Sequence, residues 1–452
     1  MGENEYLNGK SSTNETLKTR TWTLDQLNSK EVKSKHSWLI IKDKVYDTKE
    51  WMNSHPGGDL VIFHCLYQDA TVQFTRFHPA NVEKFMLPKY CIGTLDANEA
   101  KTLVSHSSLS QDFLLLEEEL RTKGLFDPKH SFYIRELVKG FVFMILTWWV
   151  ILCFAPTTLN YLLAAFLMAL CWHQLAFVGH DAGHNGVTGK KCFDDILGIF
   201  VGNCVGGVSI GWWKDTHNVH HVITNDPDHD PDIQHLPLMA VTTRFFNDVF
   251  SSYHKKILHF DAASKFFVSI QHYMYYVIMM LARFNLYIQG ILFIFKNRRC
   301  RYKGYEAFGL LLFFSWFVPL VSNIEGVGNK IIFLLCSHAM AGLLHVQITI
   351  SHFSMCTEKT TDQEEFFRHQ LRTTMDVDCP EWLDWLHGGL QFQAIHHLFP
   401  RMPRRNLRKA REDVLKLCKK HGVNYNSYNF ISGNISVINH LKMISTKINE
   451  GE

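Results

Sequence analysis

The sequence lacks the cysteine patterns that mark disulfide-stapled or zinc-binding domains. Its 11 cysteines are an odd number, and no C-x-x-C pair occurs among them. Neither a disulfide framework nor a zinc finger is therefore indicated, and free thiols suit a reducing cytosolic environment. Positive and negative side chains nearly balance, because the net charge is only +3 over 452 residues. The totals carry no nucleic-acid footprint, so we expect no nucleic-acid partner.

The N-terminal segment lacks the features of a targeting signal. Residues 1–19 are polar and contain no apolar core of a signal peptide. Tyr6 stands where a myristoylation signal has Ser or Thr. We expect residues 1–19 to be a flexible tail, followed by a cytosolic domain.

Aromatic residues and histidine are plentiful by contrast. The chain contains 34 Phe, 11 Trp and 26 His. Abundant Phe and Trp are typical of membrane proteins, where aromatic side chains collect at the interfaces. Abundant His suits metal or haem binding, because neutral imidazole is the commonest metal ligand in proteins. The composition therefore indicates a membrane protein that binds a metal.

The first part of the chain is predicted to be soluble. Residues 20–95 have the pattern of a small α+β domain, in which "WLIIKDKVYD" predicts two short strands around a turn at residues 42–44. Residues 96–139 form a linker. Within it, "SQDFLLLEEELRTKG" predicts an amphipathic helix that ends at Gly124.

Residues 140–452 have the character of an α-helical polytopic membrane domain. Long apolar runs predict four transmembrane helices in two hairpins, at residues 140–156, 159–179, 307–321 and 331–350. Two further apolar stretches, at residues 196–213 and 266–284, are interrupted by glycine or polar residues. We expect these two to be interfacial or re-entrant helices.

The distribution of basic residues predicts the orientation in the membrane. The short connectors "APTT" and "SNIEGVGNK" carry almost no Lys or Arg. The opposite side carries Lys190, Lys191, Lys214, Lys296, Arg298, Arg299, Arg301 and Lys303. By the positive-inside rule that side is cytosolic. Four spans then leave both termini in the cytosol.

Histidines form three short clusters with related spacing. They are "HDAGH" with His180 and His184, "HNVHH" with His217, His220 and His221, and "QFQAIHH" with Gln393, His396 and His397. Residues three or four apart lie on one face of a helix. The first two clusters lie between the second and third spans, and the third follows the fourth span. The four-span topology places all three on the cytosolic face, where we expect them to converge.

Seven histidines are more than one zinc ion binds, so they predict two metal ions. Nitrogen ligands without cysteine suit iron, although zinc and copper stay open.

Other residues could contribute to the site. His352 in "ISHFS" is on the right face to join the histidine clusters, or it is an ordinary histidine at a helix end. Gln393 can bind a metal, orient a ligand or lie on the surface. The run Asp226, Asp228, Asp230 and Asp232 either supports the histidines or forms a solvated loop.

A second kind of metal centre is suggested near the N-terminus. "HPGGD" contains His55, and its two glycines permit a tight turn and the close approach of a flat ligand. "FHP" contains His78. Two histidines from opposite walls of a pocket would give a six-coordinate haem iron suited to electron transfer. Spacing alone would favour two surface histidines.

These motifs resemble a known family. Tyr46, "HPGG" and "FHP" are similar to a cytochrome b5 domain, and the three clusters resemble the histidine boxes of membrane front-end desaturases with a fused cytochrome b5. In that family the third box begins with Gln. The resemblance implies haem b held by His55 and His78, and two iron ions held by the boxes. Ile395 departs from the pattern, since many members have Glu there.

The resemblance also implies an activity. "WWKDTHNVHHVITNDPDHDPDIQHLP", "QHYMYY", "GGLQFQ" and "LFPRMPRRNLRK" look most like sphingolipid delta-8 desaturases and some plant delta-6 acyl desaturases. It implies O2-dependent desaturation of a long-chain base, with electrons from an NADH-cytochrome b5 reductase, in a multi-pass protein of the endoplasmic reticulum. A delta-6 or other front-end acyl desaturase and a lipid hydroxylase are alternatives within this class.

Two alternatives come from other classes of protein. A membrane-anchored haem electron carrier needs only one span and no histidine clusters. A metal transporter would place its ligands near the bilayer midplane, whereas the clusters here lie outside the predicted spans. Both explain less of the sequence than a desaturase does.

Overall fold

The chain folds as a helical protein with a small α+β domain at its N-terminal end. The computed structural model describes residues 20–296, 300–361 and 363–450. The predicted tail, residues 1–19, lies outside the described residues. Long apolar helices follow the α+β domain, which confirms the predicted fold class.

The α+β domain is built on a four-stranded sheet. Its strands lie in the order Thr21–Trp22, Cys91–Leu95, Lys44–Asp47 and Trp38–Ile41. Lys42 and Asp43 adopt positive φ angles of 49° and 64°, which is the geometry of a tight two-residue hairpin turn. The hairpin predicted from "WLIIKDKVYD" is therefore confirmed.

Both faces of this sheet are covered. Leu39 and Ile41 pack in one apolar cluster, whereas Trp38 and Ile40 pack in another. Successive residues of a strand point to opposite faces, so all four residues of the strand are buried. The surrounding helices are Leu24–Asn28, Lys30–Lys35, Asp59–Phe63, Thr71–Phe77, Ala80–Phe85 and Ala97–Ala100, with 3-10 turns at Met52–Ser54 and Leu87–Tyr90.

The helix Ser108–Thr122 connects this domain to the membrane helices. Ser107 caps it by accepting a hydrogen bond from the N–H of Ser110 at 3.1 Å. Gly124 follows with a φ of +70°, which glycine adopts without steric cost. The apolar face, with Phe113 at its centre, is buried in a cluster that includes the helix of the third histidine cluster. The predicted amphipathic helix is confirmed.

Among the described residues, five helices are long and apolar enough to cross a membrane, where the sequence predicted four transmembrane helices. They are His130–Cys153, Thr158–Gly183, Gln271–Lys296, Lys303–Ser322 and Val327–Thr349. The additional helix is Gln271–Lys296, part of which was expected to lie at the interface. This helix is long enough to cross a membrane because it continues past the predicted stretch as far as Lys296.

The stretch around residue 206 forms a sharp bend. Lys191–Val205 and Ile210–Val222 together have the length and composition of a span, but the chain bends by 116° between them. Gly207 lies in the break with a φ of +71°. A Cβ atom there would come within 2.7 Å of the Phe313 ring, so the bend depends on glycine. This is the geometry of a broken or re-entrant segment.

The remaining elements make up the part of the structure outside the α+β domain and the long apolar helices. Its hairpin strands are Val249–Ser251 and Lys256–Leu258, and its parallel strands are Asp376–Asp378 and Ser427–Asn429. Its helices are Ala262–Ser269, Phe366–Thr373, Asp384–His387, Gln393–Leu398, Leu407–His421 and Phe430–Glu450, with 3-10 turns at Val104–His106, Pro231–Ile233, Thr243–Phe246, Glu381–Leu383 and Arg404–Asn406.

Candidate metal centre

The first histidine cluster ends the second apolar helix. His180 lies in its last turn and His184 is the C-cap residue, and their ring centroids are 4.9 Å apart. A Cβ atom on Gly183 would come within 2.1 Å of the Trp213 side chain. Glycine at this position therefore lets the helix of the second cluster pack directly on the first cluster.

The second cluster lies on the helix Ile210–Val222. Ser209 caps this helix by accepting a hydrogen bond from the N–H of Trp212 at 3.0 Å. His217 and His221 are one turn apart, with ring centroids at 4.6 Å. All three histidines of this cluster are buried.

The third cluster lies on the short helix Gln393–Leu398. The N–H of Ala394 donates a hydrogen bond to Oδ1 of the buried Asp376 at 2.8 Å, which satisfies an otherwise unpaired donor in the first turn. The side chains of this cluster are all buried, namely Gln393, His396 and His397.

The structure brings all seven histidines of the three clusters together, and His352 joins them. In each of two groups, the candidate ligand nitrogens lie within 4.8 Å of one another: His180, His184, His217 and His396 in the first, and His220, His352 and His397 in the second. Nε2 of His221 is 3.1 Å from Nε2 of both His217 and His396. The His221 ring also stacks on His397 at 4.2 Å, so it lies between the two groups.

Most of these histidines are held in the neutral form that metal binding requires. In His220, burial is outweighed by the nearby carboxylate of Asp230, which raises the pKa above the usual histidine value. Burial, reinforced by neighbouring imidazoles, lowers the pKa of His352, His396 and His397 well below the usual histidine value. A neutral imidazole is the ligand form of histidine. Buried polar atoms are normally paired. Both ring nitrogens of His352 and Nε2 of His397 nevertheless lack a hydrogen-bond partner among the described residues, which fits metal ligands.

The two groups suit two ions. Two nitrogens that bind one ion at about 2.1 Å lie at most roughly 4.2 Å apart. Separations within 4.8 Å therefore need only small side-chain movements to close around an ion. Two groups of nitrogen donors without a thiolate suit iron, as expected from the sequence.

Polar side chains hold several of these rings in place. Asp230 lies 2.8 Å from Nδ1 of His220, and Asp232 lies 3.4 Å from Nδ1 of His217. These bonds leave Nε2 free to face a metal. The acidic residues therefore have different roles. Asp230 and Asp232 support histidines, whereas Asp228 forms ion pairs with Lys359 and Arg244.

Sequence reasoning missed one supporting residue. Oε1 of the buried Gln370 lies 2.9 Å from Nδ1 of His397 and accepts a hydrogen bond from Thr224 at 3.0 Å. Its amide donates to the backbone carbonyl of His221 at 3.1 Å. Gln370 lies in the polar sequence "FRHQLRTT". Its only sequence signal was a polar residue on the apolar face of a helix.

His55 and His78 lie close to each other in the α+β domain. Their ring centroids are 5.8 Å apart. Two imidazoles that bind one iron from opposite sides, at about 2.0 Å each, have ring centres roughly 6 Å apart. Nδ1 of His55 lies 2.9 Å from the carbonyl oxygen of Gly58, and Nδ1 of His78 lies 3.0 Å from that of Phe74. Each ring therefore keeps Nε2 available for a metal.

The environment of this pair fits haem. Burial lowers the pKa of His55, and it lowers the pKa of His78 to about 4, so both imidazoles are neutral. A Cβ atom on Gly57 would come within 2.9 Å of the His55 ring. The glycine therefore allows the backbone to pass close to the histidine, as a flat ligand beside the turn requires.

The convergence of the clusters constrains the membrane topology. Three of these five long apolar helices lie between His220 and His352, yet these two histidines belong to one group of candidate ligands. An even number of those three helices must therefore cross the membrane. The first two turns of Gln271–Lys296 are hydrogen-bonded to the C-terminal helix, for instance from Tyr276 to Asn434 at 3.1 Å. We therefore expect this helix to be the one that lies at the interface.

A paired-histidine haem pocket joined to a buried two-ion histidine centre beneath apolar helices defines a class of protein, the membrane metal-dependent oxidoreductases. The sequence model of the fatty acid desaturase family matches residues 156–429. The model of the cytochrome b5-like heme/steroid binding domain matches residues 23–96. The chain therefore belongs to the fatty acid desaturase family and is an oxidoreductase with haem and a di-iron centre as its cofactors.

Relatives with curated functions agree with this assignment. The chain is 37% identical to the delta(8)-fatty-acid desaturase of Helianthus annuus, over 92% of this chain and 90% of that protein. It is 46% identical to the delta 8-(E)-sphingolipid desaturase of Candida albicans, over 75% of this chain and 58% of that protein. It is 37% identical to the acyl-lipid (9-3)-desaturase of Borago officinalis, over 90% of this chain and 89% of that protein. The predictions of a desaturase and of both cofactors are confirmed.

Proposed function

We propose that the protein introduces a delta-8 double bond into the long-chain base of a sphingolipid, with O2 as oxidant and electrons from its own haem domain. The observation that carries this proposal is the convergence of three histidine clusters beside a docked haem domain. Relatives described as delta 8-(E)-sphingolipid desaturases support the choice of substrate.

The ligand assignment follows the two groups. One iron would be held by His180, His184, His217 and His396, and the other by His220, His352 and His397. His221 would complete either set from its position between them. Gln393 lies one turn before His396 and would steady the cluster or bind iron through its carbonyl oxygen. His55 and His78 would hold haem b.

Each part of the site would contribute to desaturation. Activation of O2 toward an unactivated C–H bond is the chemistry that the two irons supply when bound. Asp230 and Asp232 orient the imidazoles, and the buried walls exclude bulk water from the reacting carbon. The site lies where membrane helices end, so an alkyl chain can enter from the bilayer while its polar head stays at the interface.

The domain and membrane arrangement belongs to the same proposal. Residues 20–95 would form the haem domain, residues 96–139 the linker and residues 140–452 the desaturase domain. We place the protein in the endoplasmic reticulum with both termini and the site on the cytosolic side. An NADH-cytochrome b5 reductase would supply electrons there.

A fatty acyl substrate is the second candidate, because relatives include a delta(8)-fatty-acid desaturase and an acyl-lipid desaturase. The test is expression in yeast, followed by analysis of both long-chain bases and fatty acids. We expect a new double bond in the long-chain bases alone, and its loss together with bound iron in His217→Ala. A double bond only in fatty acids would overturn the choice of substrate, and an alcohol would indicate a hydroxylase.

A further inference from the structure

The haem domain rests on the helix that carries the second histidine cluster. Nδ2 of Asn218 donates a hydrogen bond to the carbonyl oxygen of Gly57 at 3.2 Å. Val222, from the same helix, packs against the apolar cluster of the haem domain. The rings of His64 and His229 pack with centroids 4.6 Å apart. Contacts at separated points fix the distance between the two metal-binding regions.

One side chain touches both regions most directly. Phe77 precedes His78 in the sequence, and its ring lies edge-on to the ring of His221, with centroids 6.3 Å apart and an interplanar angle of 78°. His221 in turn lies 3.1 Å from His217 and from His396. A single peptide unit and one ring contact therefore separate His78 from the histidine between the two metal groups.

The other haem histidine has a less direct connection. A cavity of about 600 Å³ lies between its loop and the desaturase domain, lined by Pro56 and Gly58 on one side and Lys214 on the other. One bonded route from His55 runs through two backbone units to Gly57, across a hydrogen bond and back along Asn218. It crosses more bonds than the route through Phe77.

The segment that carries Phe77 is firmly held. Arg76 is fully buried and forms an ion pair with Glu117 of the linker helix. Its guanidinium also lies 4.4 Å from the ring centroid of Phe113. Nε of Arg121 donates to Glu117 at 2.9 Å, so the buried carboxylate has partners on both sides. This network fixes the backbone on which Phe77 and His78 lie.

We propose that Phe77 is the residue through which electrons pass from the haem domain to the metal site at His221. Each passage oxidises haem iron by one electron and reduces the metal site by one, and two passages supply one desaturation. A reductase that uses a pyridine nucleotide returns the oxidised haem iron to its reduced state. The ring is neither oxidised nor reduced; it fills the gap with packed atoms. The proposal rests on the ligand assignment of the proposed function.

The test follows haem oxidation directly in the full-length protein loaded with haem and iron. The haem is reduced by a flash with a photoreductant in the absence of O2, and the decay of its ferrous absorption band is recorded. In Phe77→Leu the smaller side chain leaves a gap at His221, and we expect the decay to slow by about tenfold. Haem absorption and iron content should equal those of the wild type.

Matched variants separate the aromatic contact from folding. Phe77→Tyr keeps the ring, so its decay should stay near the wild-type rate. Phe85→Leu removes an exposed ring from the same domain and should change nothing. If Phe77→Leu does not load haem, Phe77→Met takes its place. A wild-type decay rate in Phe77→Leu, or equal rates in Phe77→Met and Phe77→Tyr, would overturn the proposal.

A separate measurement distinguishes this proposal from the desaturase assignment. When a chemical reductant delivers electrons directly to the iron, transfer from the haem is not needed. Under these conditions Phe77→Leu should form product in a single turnover as the wild type does. Loss of product under these conditions would show that Phe77 acts on the iron site itself and would overturn its role as an electron bridge. A wrong choice of substrate appears in the lipid analysis and leaves the haem decay rates unchanged.

Discussion

The carboxylate of Asp230 lies 2.8 Å from Nδ1 of His220, and both side chains are buried. Asp230 is itself held in place, because it accepts hydrogen bonds from the N–H groups of Asn225 at 2.7 Å and Asp232 at 2.9 Å. The His220 ring is thereby turned so that Nε2 faces His352 and His397. A residue ten positions along the chain thus sets the orientation of a candidate ligand.

We expect Asp230→Asn to weaken iron binding by about 10- to 100-fold, as loss of a carboxylate that supports a metal-bound histidine commonly does. Iron per protein after dialysis against a weak chelator measures the effect. Asp228→Asn is the matched control, because Asp228 lies in the same loop but pairs with Lys359 and Arg244. Equal iron loss in both variants would count against a specific role for Asp230.

His352→Ala should lower the iron content and abolish desaturation while leaving haem absorption unchanged. Its ring centroid is 4.6 Å from that of His220 and 4.9 Å from that of His397, and its nitrogens are buried without a described hydrogen-bond partner. Metal analysis and the haem spectrum of the same sample give both results. His235→Ala, outside both groups, should keep its iron. Full iron content in His352→Ala would remove His352 from the ligand set.

His55→Ala should abolish haem absorption without releasing the protein from the membrane. The remaining His78 cannot give iron two axial ligands. The absorption spectrum of the membrane fraction, normalised to protein, measures this directly. His64→Ala is the control, since His64 belongs to the same domain but contacts His229. An unchanged haem spectrum in His55→Ala would refute the ligand assignment.

Glu117→Ala should destabilise the junction between the haem domain and the linker helix. It leaves the guanidinium of Arg76 buried without its carboxylate, and breaking a buried ion pair from one side costs about 3–5 kcal/mol. The midpoint of chemical unfolding followed by haem release measures the loss. Glu118→Ala removes an exposed carboxylate from the same helix and should leave the midpoint unchanged. Equal midpoints in both variants would mean that the ion pair adds nothing.

Local patterns predicted much of this architecture. The turn at Lys42 and Asp43 and the helix ending before Gly124 follow from residue preferences over a few positions. Gln370 could not be found in this way, because its role depends on Thr224 and His397 from distant parts of the chain. The extent of Gln271–Lys296 was also missed, since its polar groups interrupt an apolar run that the folded helix continues.

The sequence by itself determined which histidines belong to each cluster and that each cluster lies on one helical segment. Spacing of three or four residues fixes this locally. Only the tertiary structure decided which histidines lie close enough together to share an ion. His396 and His397 are adjacent in the chain, yet they belong to different groups. Each helical residue turns by about 100° from the one before, so neighbours face different sides, and the packing of the other helices determines what they meet.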